Sequence, residues 1–248
     1  MLFVGEEVGT GAGPELDIAV DPLEGTTLTA KAKPNALSVL AVAPKGGLLH
    51  APDTYMDKIA IGPGYPAGLI DLDQNAADNV RALAEAKGVS AQEIGVCVLD
   101  RPRHASIIEA LRSVGARVQL IDDGDIAGVI QCTKPETGID MYLGQGGAPE
   151  GVLAAAALKC VGGQFQGRLV LRNDEERARA AATGIEDVKR RYTLDDLVSQ
   201  DAIFIAVGVT SGSLLHGVRS GGGTILTNAL VMNSATHTVT ELHVRQPG

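Results

Sequence analysis

The chain has 248 residues, 45% of them apolar and only 3% aromatic, with no tryptophan and a formal net charge of −9. That length and apolar content suit one large domain or two intimate ones and exclude a disordered segment. The negative charge and the lack of aromatic platforms argue against nucleic acid or an anionic membrane as a partner.

No apolar run reaches the roughly 18 residues that a membrane span needs. Met1-Leu-Phe-Val-Gly-Glu-Glu carries no basic leader, which makes the cytoplasm the default expectation. Cys97, Cys132 and Cys160 are widely spaced, with no C-x-x-C pair, and suggest neither a zinc site nor a disulfide framework.

Met1 to Val4 is apolar and runs straight into Gly-Glu-Glu, which reads as the middle of a fold; Glu6 and Glu7 are read as surface acids at a strand end. The next stretch organises the rest: Asp17-Ile-Ala-Val-Asp21-Pro-Leu-Glu24-Gly-Thr26-Thr27. Ile18 to Val20 reads as a buried strand, after which Pro22 ends the ladder and Gly25 allows a turn into a helix capped by Thr26 or Thr27. Two carboxylates and a hydroxyl gather there, a set that suits a divalent cation and a phosphate. The same residues also read as a Pro-Gly turn whose acids only cap a helix.

Leu37 to Ala43 is a strand by length and β-branching, and Lys45-Gly46-Gly47 a tight turn. Gly62 to Gly68, rich in glycine and proline, is the expected hinge. It divides the chain into an N-terminal half, residues 1–68, and a C-terminal half, residues 69–248. Beyond it the spacing predicts a helix over 74–87, a strand over 94–99, a helix carrying Ile107, Ile108, Leu111 and Val114, and a strand over 117–121. A helical turn follows over 126–130. This alternation predicts an α/β fold with polar clusters after its strands. Arg101, Arg103 and His104 concentrate positive charge after one strand, as a phosphate seat or a solvated basic loop. Asp123-Gly124-Asp125 follows another, as a ligand site or a plain turn.

Thr137 to Gly151 reads as a strand, then a glycine loop, then Pro149 and Glu150 opening an alanine-rich helix. Glu150 reads either as a cation ligand or as an acid favoured at a helix start. The glycines lack the later acid of a dinucleotide site. The remainder predicts a strand over 168–171, helices over 174–182 and 193–198, a central strand over 202–209, and a hairpin of strands 224–232 and 236–244 turned at Asn233-Ser234. His216, His237 and His243 have no metal-ligand spacing.

Asp21-Pro-Leu-Glu-Gly-Thr26 resembles the Asp-Pro-(Ile/Leu)-(Asp/Glu)-Gly-(Thr/Ser) signature of the metal-dependent, lithium-sensitive sugar-phosphatase superfamily. Gly146-Gly-Ala-Pro-Glu150-Gly is similar to the Gly-Gly-(Thr/Ala)-Pro-Glu-Gly pattern of class II fructose-1,6-bisphosphatases, and the likeness runs from Met1 to about Arg245.

The resemblance implies a layered αβαβα sandwich of two mixed sheets with helices between and outside, the first layer incomplete. It implies hydrolysis of the 1-phosphate of fructose 1,6-bisphosphate, with sedoheptulose 1,7-bisphosphate as a further substrate, using Mn2+ or Mg2+ in a homodimer or homotetramer. Carried over residue by residue, Asp21, Glu24 and Glu150 would hold metal and Thr26 would orient the attacking water. Glu24, Gly25, Thr26, Tyr55, Arg101, Pro102, Arg103, Asp123, Gly124, Asp125 and Gly147 would meet substrate.

The family's acidic N-terminal segment has no counterpart here. The expectation is therefore lower activity than a longer form, with poor solubility from apolar surface around Phe3, Val4 and Ile18. An inositol-monophosphatase-like enzyme and a non-catalytic sugar-phosphate binder stand as alternatives. Inositol monophosphatases typically carry a Trp-Asp motif near the last metal ligand, which this chain lacks.

Overall fold

The computed structural model describes residues 5–248. In chain order the elements are β1 (Leu16–Glu24), α1 (Thr26–Ala30), β2 (Leu37–Pro44), β3 (Tyr55–Ile61), α2 (Ala76–Lys87), β4 (Gly95–Leu99), α3 (Ala105–Ser113), β5 (Arg117–Ile121) and α4 (Asp125–Gln131). They continue with β6 (Met141–Gly147), α5 (Ala148–Val161), β7 (Gln164–Val170), α6 (Asp174–Ala182), β8 (Tyr192–Thr193), α7 (Leu194–Leu197), β9 (Ile203–Gly208), β10 (Arg219–Gly221), β11 (Thr224–Asn233) and β12 (Thr238–Pro247).

Two six-stranded sheets result. In the first, which is antiparallel throughout, β1, β2, β9 and β11 lie side by side, with β10 and β12 both paired to β11. The second runs β5-β4-β6-β3-β7-β8. It is mixed, because β4 pairs in parallel with β5 and β6 while the remaining pairs are antiparallel. Each sheet draws strands from both sides of the Gly62–Gly68 stretch.

Helices α4 and α5 fill the space between the sheets. The inward row of β2 (Leu37, Val39, Ala41, Ala43) meets Ile126, Val129 and the buried run Val152 to Leu158, and Met56, Tyr142 and Phe165 close the core from the second sheet. An alanine-rich helix fits here because both faces of α5 are covered and small side chains let two sheets approach one axis. A second core lies on the other face of the second sheet, where Ile59, Val96, Val98 and Met141 pack on Val80 and Leu83 of α2 and Leu111 of α3. The described residues thus build a sheet–helix–sheet–helix stack, an α/β sandwich.

The outward face of the first sheet stays apolar, with Leu16, Ile18 and Val20 at 52%, 49% and 38% exposure. Ile18 therefore belongs to an exposed apolar surface as expected, while Phe3 and Val4 lie outside the described residues. Cys97, Cys132 and Cys160 are buried and free. Burial pushes the Cys97 thiol up to about 12 and the Cys160 thiol up to about 11, which leaves them inert core residues.

Three local readings change. Pro22 does not end β1, which continues to Glu24 through an irregularity between Asp21 and Glu24. A bulge lets an edge strand carry proline without losing its partner. Neither threonine caps α1: its N-cap is Gly25, at φ 82, with no side-chain bond. The glycines of 144–147 form no loop but complete β6, paired to β3 as far as Tyr55–Gly147.

Candidate active site

Two strand-to-helix turns meet at the end of the inter-sheet layer. One is Glu24-Gly25-Thr26-Thr27 before α1, the other Asp123-Gly124-Asp125-Ile126 before α4. Each glycine is a left-handed helix N-cap, at φ 82 and φ 83. Each acid caps the other helix: Glu24 Oε1 accepts from the Ile126 amide at 3.1 Å, and Asp123 Oδ2 accepts from the Thr27 amide at 3.2 Å.

Asp21, Glu24 and Glu150 come together there, each offering a carboxylate oxygen within 4.8 Å of the others. Glu150 arrives from the first turn of α5, where it lies over Gly147; a Cβ on Gly147 would stand 1.8 Å from Glu150 Oε2. Glycine is thus required by the carboxylate that occupies its side-chain space. Asp21 Oδ1 accepts from the Leu23 amide at 2.9 Å. Glu150 Oε2 is buried and has no hydrogen-bond partner among the described residues.

Burial first, then the negative charges of Asp125, Glu150 and Asp21, raises Glu24 well above the ordinary carboxylate value. Burial also raises Glu150, against the opposing pull of Lys58. Three oxygen donors this close, one residue buried and two half-buried, and including one oxygen with no partner among the described residues, fit a hard divalent cation. Such an ion would relieve both the crowding of charge and the unsatisfied oxygen.

Beside the acids lies a group the sequence reading did not single out. Lys58 is 1% exposed and its Nζ pairs with Asp125 Oδ2 at 2.5 Å. Gly146 makes the room, since a Cβ there would sit 2.1 Å from Asp125 Oδ2. The signal was available: in Tyr55-Met-Asp-Lys-Ile-Ala, strand alternation puts Lys58 on the same face as Met56 and Ala60. A lysine at an inward position needs an acid partner.

Tyr55 and Arg103 lie on the opposite face of the second sheet, at the end of its interior strand β3. Tyr55 opens β3 opposite Gly147. Arg103, on a 3₁₀ turn over Pro102–His104, places its guanidinium 5.0 Å from the Tyr55 ring centre and donates to the Gln145 carbonyl at 2.7 Å. Arg101 donates to the carbonyl of Asp100 at 2.9 Å.

His104 differs from its neighbours. It is buried, its Nδ1–H donates to the Leu99 carbonyl at 2.7 Å, and its Nε2 accepts from the Gln145 amide at 2.9 Å. Burial lowers its basicity, so it adds no charge to the arginines and instead ties their turn to β6.

The structure therefore brings Asp21, Glu24 and Glu150 together, with Gly25, Thr26, Gly147 and the Asp123–Asp125 turn around them, and sets Tyr55 and Arg103 past Gly147. Asp123 and Asp125 face separate partners, the Thr27 amide and Lys58. Glu6 and Glu7 are exposed and stand outside the acid cluster.

The layered α/β fold and the acidic cluster agree with a phosphatase of the metal-dependent sugar-phosphate class. The chain belongs to the family described as bacterial fructose-1,6-bisphosphatase, glpX-encoded, whose model matches residues 1–246. It is 42% identical over 252 residues to fructose-1,6-bisphosphatase 1 class 2 of Escherichia coli (strain K12), covering 96% of this chain and 75% of that protein. The fructose-1,6-bisphosphatase class 2 of Shigella flexneri matches to the same extent. Among the described residues no helix is long and apolar enough to cross a membrane.

Proposed function

We propose that the chain hydrolyses the 1-phosphate of fructose 1,6-bisphosphate, with sedoheptulose 1,7-bisphosphate as a second substrate, as a cytoplasmic homodimer or homotetramer using Mn2+ or Mg2+. The observation that carries this reading is the convergence of Asp21, Glu24 and Glu150 within 4.8 Å, with a buried, unpartnered oxygen on Glu150. The family membership agrees with it.

Asp21, Glu24 and Glu150 would hold the cation. When bound, the ion supplies positive charge that polarises the phosphoryl oxygens and steadies the leaving sugar oxygen. The Thr26 hydroxyl, exposed at the head of α1, orients the attacking water. Water adds to phosphorus as the bond to the sugar oxygen breaks, giving inorganic phosphate and the sugar monophosphate. Gly25 and Gly147 meet the substrate through their backbone, and the Asp123-Gly124-Asp125 turn meets the sugar. Arg101, Pro102 and Arg103, with Tyr55, seat the phosphate that is retained, since a guanidinium fork matches phosphate oxygens. On this reading residues 1–68 supply most of the metal side and residues 69–248 most of the sugar side.

The test is phosphate release from fructose 1,6-bisphosphate with Mn2+, in the wild type and in Glu150→Gln. Release by the wild type and its loss in a folded Glu150→Gln protein are the expected results. Release from inositol 1-phosphate instead would favour the inositol-phosphatase alternative, and sugar-phosphate binding without release a non-catalytic binder.

A further inference from the structure

We infer that Arg172 is a further binding residue for the phosphate that the substrate retains, and that Glu176 positions it. Arg172 follows β7, whose last residue Val170 pairs with Tyr55. This register carries the chain across the strand that bears Tyr55, from the side opposite Arg103. The Arg172 guanidinium carbon lies 4.4 Å from the centre of the Tyr55 ring, and that of Arg103 lies 5.0 Å from the same centre. Among the described residues, Tyr55 is the aromatic ring that carries two guanidiniums.

Arg172 is held in place. Its Nε donates to Glu176 Oε1 at 2.9 Å, its Nη2 to the same oxygen at 2.5 Å, and its backbone amide to Glu176 Oε2 at 2.6 Å. The Glu176 side chain is 1% exposed, whereas that of Arg172 is 56% exposed. A buried carboxylate therefore grips one edge of a guanidinium whose remainder faces solvent beside Tyr55. Glu176 is not needed to cap α6, because Asn173 Oδ1 already accepts from the Glu176 amide at 2.9 Å.

Two guanidiniums over one tyrosine, in a chain of net charge −9, call for an anion between or beside them. The chemistry matches a phosphate monoester: planar forks for its oxygens, and a phenol as a further donor. Arg172 lies just past β7, whereas Arg103 lies on the turn after β4. Together they would embrace the phosphate from two sides and select substrates that carry a second one.

This rests on the proposed phosphatase reading, and titration separates the two. Binding of fructose 6-phosphate is measured by calorimetry in the wild type, Arg172→Met, Arg172→Lys and Glu176→Gln, with Tm measured for each. Phosphate release from fructose 1,6-bisphosphate is followed in parallel.

The expected result is a roughly tenfold weaker Kd in Arg172→Met, the scale of one charge-assisted contact, with Lys restoring only part of it. Glu176→Gln should weaken binding as well, although it removes a negative charge near an anion. A merely electrostatic or merely structural role predicts the reverse sign or no change. An unchanged Kd in Arg172→Met, with or without a lower Tm, overturns the assignment and leaves the phosphatase reading standing. Wild-type binding without phosphate release removes the catalytic reading, while the Kd values still decide Arg172.

Discussion

Glu24 and Asp123 exchange helix caps: each stands one residue before a left-handed glycine, and each accepts the amide three residues after the other acid. The two turns that carry the acidic cluster are thereby locked in register. Leu28 sits under both glycines, its Cδ1 2.9 Å from a Cβ built on Gly25 and 3.2 Å from one on Gly124.

Asp123→Ala is expected to cost about 1 kcal/mol, the usual loss for a side-chain cap. Gly124→Ala should cost about 1–2 kcal/mol through its left-handed backbone. Because both changes act on one turn pair, their combination should be less than additive. Urea melts of the two single variants and the double one provide the check; full additivity would show that the turns are independent.

Without a cation, Glu24 is raised well above the ordinary carboxylate value of 4.5, mainly by burial. A carboxyl raised on folding contributes stability below its unfolded pKa, and that contribution is lost as pH rises through the folded pKa. A cation favours the ionised form and reverses this. Metal-free protein should therefore lose Tm on going from pH 5 to pH 8, and added Mn2+ should raise Tm more at pH 8 than at pH 5, with proton release on binding. An equal Mn2+ effect at both pH values would remove the carboxylate cluster as its site.

His104 has the opposite sign. Burial lowers its basicity below the ordinary value of 6.5, so the folded protein keeps it neutral. Its contribution is complete above pH 6.5 and falls as pH drops from there through the lower folded value. Protonation would also abolish the acceptor for the Gln145 amide. His104→Leu leaves that amide and the Leu99 carbonyl unpaired, for an expected loss of about 1–3 kcal/mol at pH 8. The loss should shrink toward pH 5, as thermal melts across that range would show.

Replacing Arg103 with Gln should raise KM for fructose 1,6-bisphosphate roughly tenfold or more, by loss of a charge-assisted contact, and leave a substrate with one phosphate far less affected. Equal effects on both substrates would mark Arg103 as surface charge only.

What the sequence disclosed follows its periodicities. Strands β2, β4, β5 and β9 and helices α2, α3, α5 and α6 are visible because their apolar spacing is set by one packing face, or, in α5, by burial all round. Strand β8 has two residues and β10 three, too short for any alternation to register. The first half of β7, Gln164-Phe-Gln-Gly, hides behind two glutamines that bond loop carbonyls near Ile70 and Pro66. At the site, Asp21, Glu24 and Glu150 stood out because they fall in the two motifs that resemble the class II family, while their spacing alone left a helix-capping role open. Lys58 and Arg172 did not stand out, since Asp125 lies 67 residues from the one and Tyr55 117 residues from the other, and no local pattern marks such distance; Glu176, four residues from Arg172, reads as an ordinary i,i+4 helix pair.

Lys58 and Asp125 supply the most severe test of the site's architecture. The ion pair is almost fully buried, with side chains 1% and 8% exposed, and Asp125 is the charge that most opposes ionisation of Glu24. Removing one member leaves a buried charge without its partner, which typically costs about 3–5 kcal/mol, whereas replacing both by apolar groups is often neutral. Lys58→Met alone should therefore unfold at much lower urea, and Lys58→Met with Asp125→Leu should recover most of the midpoint. The recovered double variant should still release phosphate slowly, because the ammonium that steadies Glu150 and the carboxylate set against Gly146 are both gone. A single Lys58→Met protein as stable as the wild type would mean that water reaches the pair and screens it, and the buried-pair account would then fail.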